Sequence, residues 1–304
     1  MQREQPQLPG DPATGGPAQG DLGPGDRAPS ESAWTWDPSL YAGSAGYYAV
    51  GRAPYPQQLA DVLADRLRLD SSGRLVDVGC GPGSLTLLLA PHFAEVVGVD
   101  ADAEMLAVAG RLAGERGLGN VHWRQLRGED LPADLPPADV VIFAQSFHWM
   151  DRPRVAAAVR RMLAPGGALV HVTAMTHQGV DTDAALPYAR VPYEAVNQLV
   201  QRYLGPVRRA GQGVLTLGLP GGEDAIYRAA GFTGPERLEL PQRLVDRTAE
   251  QVAASVFSLS SSAPHLFGDR LDAFDAELRE LLAQASPDGR FSEQLEKITA
   301  DIWR

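Results

Sequence analysis

The sequence predicts an α/β fold: an open, largely parallel sheet with helices on both faces and further helical elements after its fifth strand. Three observations predict it. Short apolar runs of strand composition recur at Leu75–Val78, Val96–Asp100, Val121–Leu126, Ala138–Phe143 and Ala168–Ala174, with helical spacing between most of them. The first run ends in a turn with glycine at alternate positions, Gly79, Gly81 and Gly83, before Ser84 opens a helical pattern. The second ends in an acid, Asp100, roughly 20 residues further on, where such sheets meet ribose hydroxyls.

The stretch LVDVGCGPGSLT, Leu75–Thr86, organises the rest. A chain that leaves a buried strand, turns sharply and enters a helix needs glycine, which tolerates positive φ and lets a ligand approach. The helix behind it offers unpaired N–H groups and a partial positive charge. Dinucleotide-binding turns space their glycines GxGxxG. Here the spacing is GxGxG, Ser84 takes the place of the third dinucleotide glycine, and Asp77 precedes the first by two. A carboxylate there repels a pyrophosphate and suits a ligand carrying an ammonium group, such as the methionine portion of S-adenosylmethionine (SAM). The stretch resembles motif I of the class I SAM-dependent methyltransferases.

Composition narrows the partners. A chain of 304 residues is ample for a proper core. The formal net charge of -11 weighs against a nucleic-acid backbone as main partner. A single cysteine, Cys80, excludes an intramolecular disulfide and a cysteine metal site. The other histidines (His92, His122, His171, His177, His265) lack metal-ligand spacing, so no metal is expected. No apolar run is long enough to span a bilayer and no signal-peptide h-region is evident, so no membrane partner and a cytoplasmic location are expected.

In chain order, residues 1–44 are rich in Gly, Pro, Asp and Gln and are expected to form a disordered tail, since they bury too little to offset ordering. Residues 45–304 are expected to form the folded domain. Within it, Tyr47, Tyr48, Arg52 and Tyr55 precede a helix opened by Pro56 and striped by Leu59, Val62, Leu63 and Leu67. That segment, 45–70, reads either as a lid over the ligand or as amphipathic packing. Met105, at the start of the helix over Ala103–Gly114, can touch an adenine or fill core. In the loop GEDLP, Glu129 or Asp130 can accept from an adenine amine, and spacing does not choose between them. Gln145, Ser146, His148 and Trp149 follow strand four, where donor and acceptor meet in such sheets. His148 is the candidate general base, because imidazole titrates near neutrality. Beyond Thr173, helices are expected over Val191–Leu204, Glu223–Ala230, Thr248–Val256 (with a Thr248/Gln251 capping box) and around Leu271–Leu281. Strands are expected at Glu236–Arg243 and Ile298–Trp303.

Together the glycine loop, GVDADAEML, GEDLP, AQSFHWMD and MLAPGG resemble the type 11 branch of class I SAM-dependent methyltransferases, and most closely the subgroup similar to trans-aconitate methyltransferase. That subgroup often carries Y-x-x-x-R-P-x-Y-P; here Tyr48, Arg52, Tyr55 and Pro56 match, and Ala53 replaces the first proline. The resemblance runs from about Tyr47 to Val170. It implies a Rossmann-like doubly wound sheet of seven strands, the last one antiparallel and inserted as a hairpin, with acceptor-cap insertions at about 175–230 and 244–290. It implies SAM as methyl donor and S-adenosylhomocysteine as product. Asp77, Gly79, Cys80, Gly81 and Gly83 would hold the methionine end; Asp100 the ribose, with Ala101 and Met105 beside it; Glu129 or Asp130 the adenine amine. Gln145 and Ser146 would flank the sulfonium, and Tyr48 and Arg52 would belong to the lid. The acceptor is expected to be a small molecule methylated on oxygen or carbon. A macromolecular methyltransferase, a SAM-binding protein that does not methylate and a nicotinamide-dependent dehydrogenase are the competing readings.

Overall fold

The computed structural model describes residues 37–304 apart from 208, 211–212 and 215–221. Most of the expected tail, residues 1–36, lies outside the described residues. Its end does not: residues 37–43 form consecutive turns, with Leu40 and Ser44 buried and the Ser44 hydroxyl donating to the Phe257 carbonyl at 2.8 Å.

Helices α1 (Ala45–Gly51) and α2 (Gln57–Leu67) lead into β1 (Arg74–Val78), α3 (Thr86–Leu89), β2 (Glu95–Asp100), α4 (Ala103–Glu115), β3 (Val121–Gln125), β4 (Ala138–Ala144), α5 (Arg152–Met162) and β5 (Leu163–Thr173). Then come α6 (Tyr193–Leu204), the two-residue pair β6 (Arg209–Ala210) and β7 (Gly213–Val214), α7 (Glu223–Ala229), β8 (Glu236–Leu240) and β9 (Arg243–Thr248). The chain ends with α8 (Ala249–Phe257), α9 (Leu271–Ala285), β10 (Arg290–Leu295) and β11 (Ile298–Trp303). The expected strand over 236–243 is thus two. Pro241 and Gln242 part them, sending β8 to the main sheet and β9 to pair with β10.

The main sheet has seven strands in the order β3-β2-β1-β4-β5-β11-β8. Its first five pair in parallel, and β11 runs antiparallel between β5 and β8. The chain reverses its direction of winding between β1 and β4, and such a switch point opens a crevice at the carboxyl ends of the strands. The sheet is apolar on both faces, as buried parallel strands must be. One face packs Leu75, Val96, Ile142 and Val170 under α2; the other packs Val76, Val141, Phe143 and Leu169 under α5 and α7.

A third core belongs to the cap, where α6, α8 and α9 close around Phe257, Phe267, Phe274 and Phe291. Phe267 and Phe274 stack with ring centroids 4.1 Å apart. Residues 223–229, inside the expected cap insertion of 175–230, belong instead to the sheet: Tyr227 is fully buried against Phe147 and Trp303. Helix α1 crosses the cap helix α8 at Gly51, where a Cβ would collide with the backbone of Ala254 and Ser255. No helix among the described residues is long and apolar enough to cross a membrane.

Candidate functional site

The crevice at the β1/β4 switch is lined by the glycine turn. Gly79, Gly81 and Gly83 all have positive φ (71°, 54° and 80°), which L side chains rarely adopt. Their surroundings differ. A Cβ on Gly79 would strike Ser146, and one on Gly83 would lie 2.9 Å from Trp123, whereas nothing lies within 4 Å of the Cβ direction of Gly81. Gly79 and Gly83 are bare so that protein can pack; Gly81 is bare towards open space.

Two carboxylates frame that turn. Asp100, at the end of β2, accepts from Gly81 N at 2.8 Å and from Asp102 N at 2.9 Å, so it pins the turn to the neighbouring strand. Each of its oxygens keeps a lone pair for a further donor. Asp77 is 1 % exposed; one oxygen accepts from the Thr86 hydroxyl at 2.5 Å and the other, Oδ1, has no partner. Burial, with Asp100 nearby, pushes the Asp77 carboxyl up to about 7. A buried carboxylate oxygen without a donor is costly, so a site of this kind fits a ligand that brings one. Burial and the two acids also push the Cys80 thiol well up, so Cys80 stays a protonated packing group. Met105 is buried at the start of α4, and Ala101 accepts from the Gln125 amide at 3.2 Å.

The N-terminal segment lies over this crevice. Arg52 sits 4.4 Å from the Tyr48 ring centroid; its guanidinium donates to the Ser258 hydroxyl (2.8 Å) and carbonyl (3.0 Å) and meets His177 Nδ1 at 3.3 Å. Tyr41 meets Tyr48 and Trp149 edge-on, each at 6.3 Å. Both Tyr41 and Tyr55 are driven up by burial, and each is raised further by Tyr48 and by a crevice carboxylate: Asp100 for Tyr41, Asp77 for Tyr55. Tyr41, Thr86, His177 and Ser258 carried no sequence signal, because their meaning comes from folding distant segments together.

The remaining candidates separate. Ser146 donates to the Val78 carbonyl at 2.6 Å and seals the turn at Gly79. Glu129 is buried and accepts from Asp151 N at 2.8 Å, which fixes the start of α5; Asp130 is exposed and paired with Arg127 at 3.1 Å. Glu129 is therefore the acid held inside the fold. Gln145 has φ 58°, a strained value for a residue with a side chain, and with His148 it lines a different cavity on the α7 side of the sheet. Burial, with His171 and Arg152 nearby, lowers His148 to about 4. Among the described residues, no cluster of three or more His, Cys, Asp or Glu could hold a metal ion.

Residues 75–167 match a family described as a methyltransferase domain. The chain is 31% identical over 144 residues to a probable S-adenosylmethionine-dependent methyltransferase of Saccharomyces cerevisiae (strain ATCC 204508 / S288c), covering 47% of this chain and 49% of that protein. It is 37% identical over 134 residues to an uncharacterized methyltransferase of Mycobacterium tuberculosis (strain ATCC 25618 / H37Rv), covering 44% and 51%. It is 42% identical over 114 residues to the trans-aconitate 2-methyltransferase of Azoarcus sp. (strain BH72), covering 36% and 42%. The chain spans about half the length of the curated relatives it matches. With its glycine turn and sheet order, these matches place the chain in the class I SAM-dependent methyltransferase family.

Proposed function

We propose that this protein transfers a methyl group from SAM to a small-molecule acceptor, on oxygen or carbon, by in-line displacement. The observation that carries the reading is the unpartnered Asp77 Oδ1 beside a turn that is open at Gly81. A ligand ammonium would supply the missing donor, and its carboxylate would meet the lid, where Arg52 is held in place by Ser258 and His177. Asp100 would accept from ribose hydroxyls and Glu129 is the acid placed for the adenine amine.

Bound there, SAM would supply a methyl already activated by its sulfonium. The chain's part is alignment and exclusion of water, which in favourable cases is worth about 7–11 kcal/mol. Tyr41, Tyr48 and Trp149 provide the aromatic cover. His148, held unprotonated by burial, is too weak a base to ionise an alcohol beforehand; it serves as a proton acceptor once the new bond has formed.

The acidic net charge favours a small acceptor over nucleic acid. Calorimetry tests the reading directly. SAM binding that is lost in Asp77→Asn supports it, and a wild-type protein that takes up NAD but no SAM sinks it.

A further inference from the structure

On the α7 side of the sheet lies a cavity of about 210 Å³ that the donor site does not use. Its walls are the ends of β4 and β5, β11, and the first turns of α7. His171, Tyr227 and Trp303 give it aromatic surface, with Tyr227 and Trp303 centroids 5.3 Å apart and the Tyr227 hydroxyl 2.7 Å from His171 Nδ1. Its three acids are each answered by an arginine: Glu223 by Arg152 at 3.5 Å, Asp224 by Arg228 at 3.4 Å, and Asp301 by Arg237 at 2.7 Å. Burial holds both His148 and His171 below the ordinary imidazole range, so they are uncharged at neutral pH. Trp303 is fully buried and its indole N–H has no partner.

The cavity and the donor crevice share a wall. Within residues 145–149, Gln145 and His148 line the cavity, while Ser146 closes on Gly79 and Trp149 meets the lid residue Tyr41. A space on the far side of that wall is placed to present a second reactant.

We propose that this cavity is the acceptor site and that it takes an uncharged, hydroxylated ring compound, with Tyr227 and Trp303 against the ring and His148 and His171 meeting its hydroxyls. The inference rests on the methyltransferase reading and adds the acceptor's chemistry. A polycarboxylate fits poorly: the arginines at the rim are already engaged by acids, and the interior offers neutral hydrogen-bonding groups. In the transfer the acceptor oxygen forms its bond to the methyl carbon as the C–S bond of the sulfonium breaks. The bonding pair of that C–S bond stays on sulfur as a neutral thioether, and the hydroxyl proton passes to His148 and then to water.

The test uses catechol as ring probe and tricarballylate as carboxylate probe, titrated calorimetrically into the full chain with S-adenosylhomocysteine present. It then follows the 14-dalton mass gain of each probe when SAM is supplied. Thr173 is exposed at the cavity mouth, so Thr173→Trp fills the space without disturbing the core. Catechol should bind and gain the methyl mass in wild type, and both should fall at least tenfold in Thr173→Trp, with SAM affinity within twofold. Equal catechol binding in the two proteins overturns the site. Absent catechol binding, or binding of tricarballylate alone, overturns the acceptor class. Loss of SAM binding in wild type is a separate result and removes the underlying reading instead.

Discussion

Asp77 trades stability for binding. Its carboxyl is displaced from about 3.8 to about 7 because ionisation in a buried site is disfavoured, so between these values the folded state holds a proton that the unfolded state has released. Stability from this group is therefore lost as pH rises from about 4 to 7, and the loss is complete above that. Three units correspond to an upper bound of roughly 4 kcal/mol. Asp77→Asn should raise the melting temperature of the ligand-free protein at pH 8 and leave it nearly unchanged at pH 3.5. The same substitution should weaken SAM binding by at least tenfold, since an amide presents less charge to an ammonium. In wild type, SAM affinity should climb as pH goes from 5 to 7, because only the ionised carboxylate is the partner. A flat affinity over that range contradicts the assignment. His148→Ala should lower kcat with little change in KM for SAM, and unchanged turnover would remove the imidazole from the reaction.

At the scale of elements, the glycine turn separates two roles that the sequence writes identically. Gly79→Ala should lower the melting temperature sharply, because its Cβ collides with Ser146 across a sealed contact. Gly81→Ala meets nothing, so it should cost only about 1–2 kcal/mol for the left-handed backbone while losing most SAM binding. Urea melts and calorimetry on the two variants distinguish these outcomes. Periodicity made β1 to β5 and the turn between β1 and α3 readable, since fully buried strands are written as apolar runs. It could not tell which glycine faces ligand, because that depends on where Ser146 and Trp123 come to lie. Nor could it separate β8 from β9: both alternate, and their partners, β11 and β10, stand more than forty residues further on. The lid was legible only in part, since Tyr48 and Arg52 sit in a motif while Tyr41 looks like tail.

Across the whole molecule, one buried ion pair joins the parts that must move together. Arg247 and Glu293 are each 4 % exposed and 2.9 Å apart. Arg247 also donates to the carbonyls of Gly51 at the end of α1, Gln251 in α8 and His177 in the strap after β5, while Glu293 accepts from Gly179 N and the Tyr193 hydroxyl of α6. Lid, strap and cap are thus hydrogen-bonded to one guanidinium and one carboxylate. Removing either partner leaves the other charge buried and uncompensated, which typically costs about 3–5 kcal/mol. Arg247→Met and Glu293→Leu should each destabilise the protein by that order in urea melts. The double variant should lose less than the sum of the two, with a coupling of at least about 1 kcal/mol. SAM affinity separates this pair from one that only holds the cap together. Arg52 reaches Ser258 at the end of α8 and His177 on the strap, so a loosened hub should also weaken SAM binding in Glu293→Gln under conditions where the protein remains folded. Strict additivity of the two losses, with SAM binding intact in Glu293→Gln, would show the pair to be independent of the donor site.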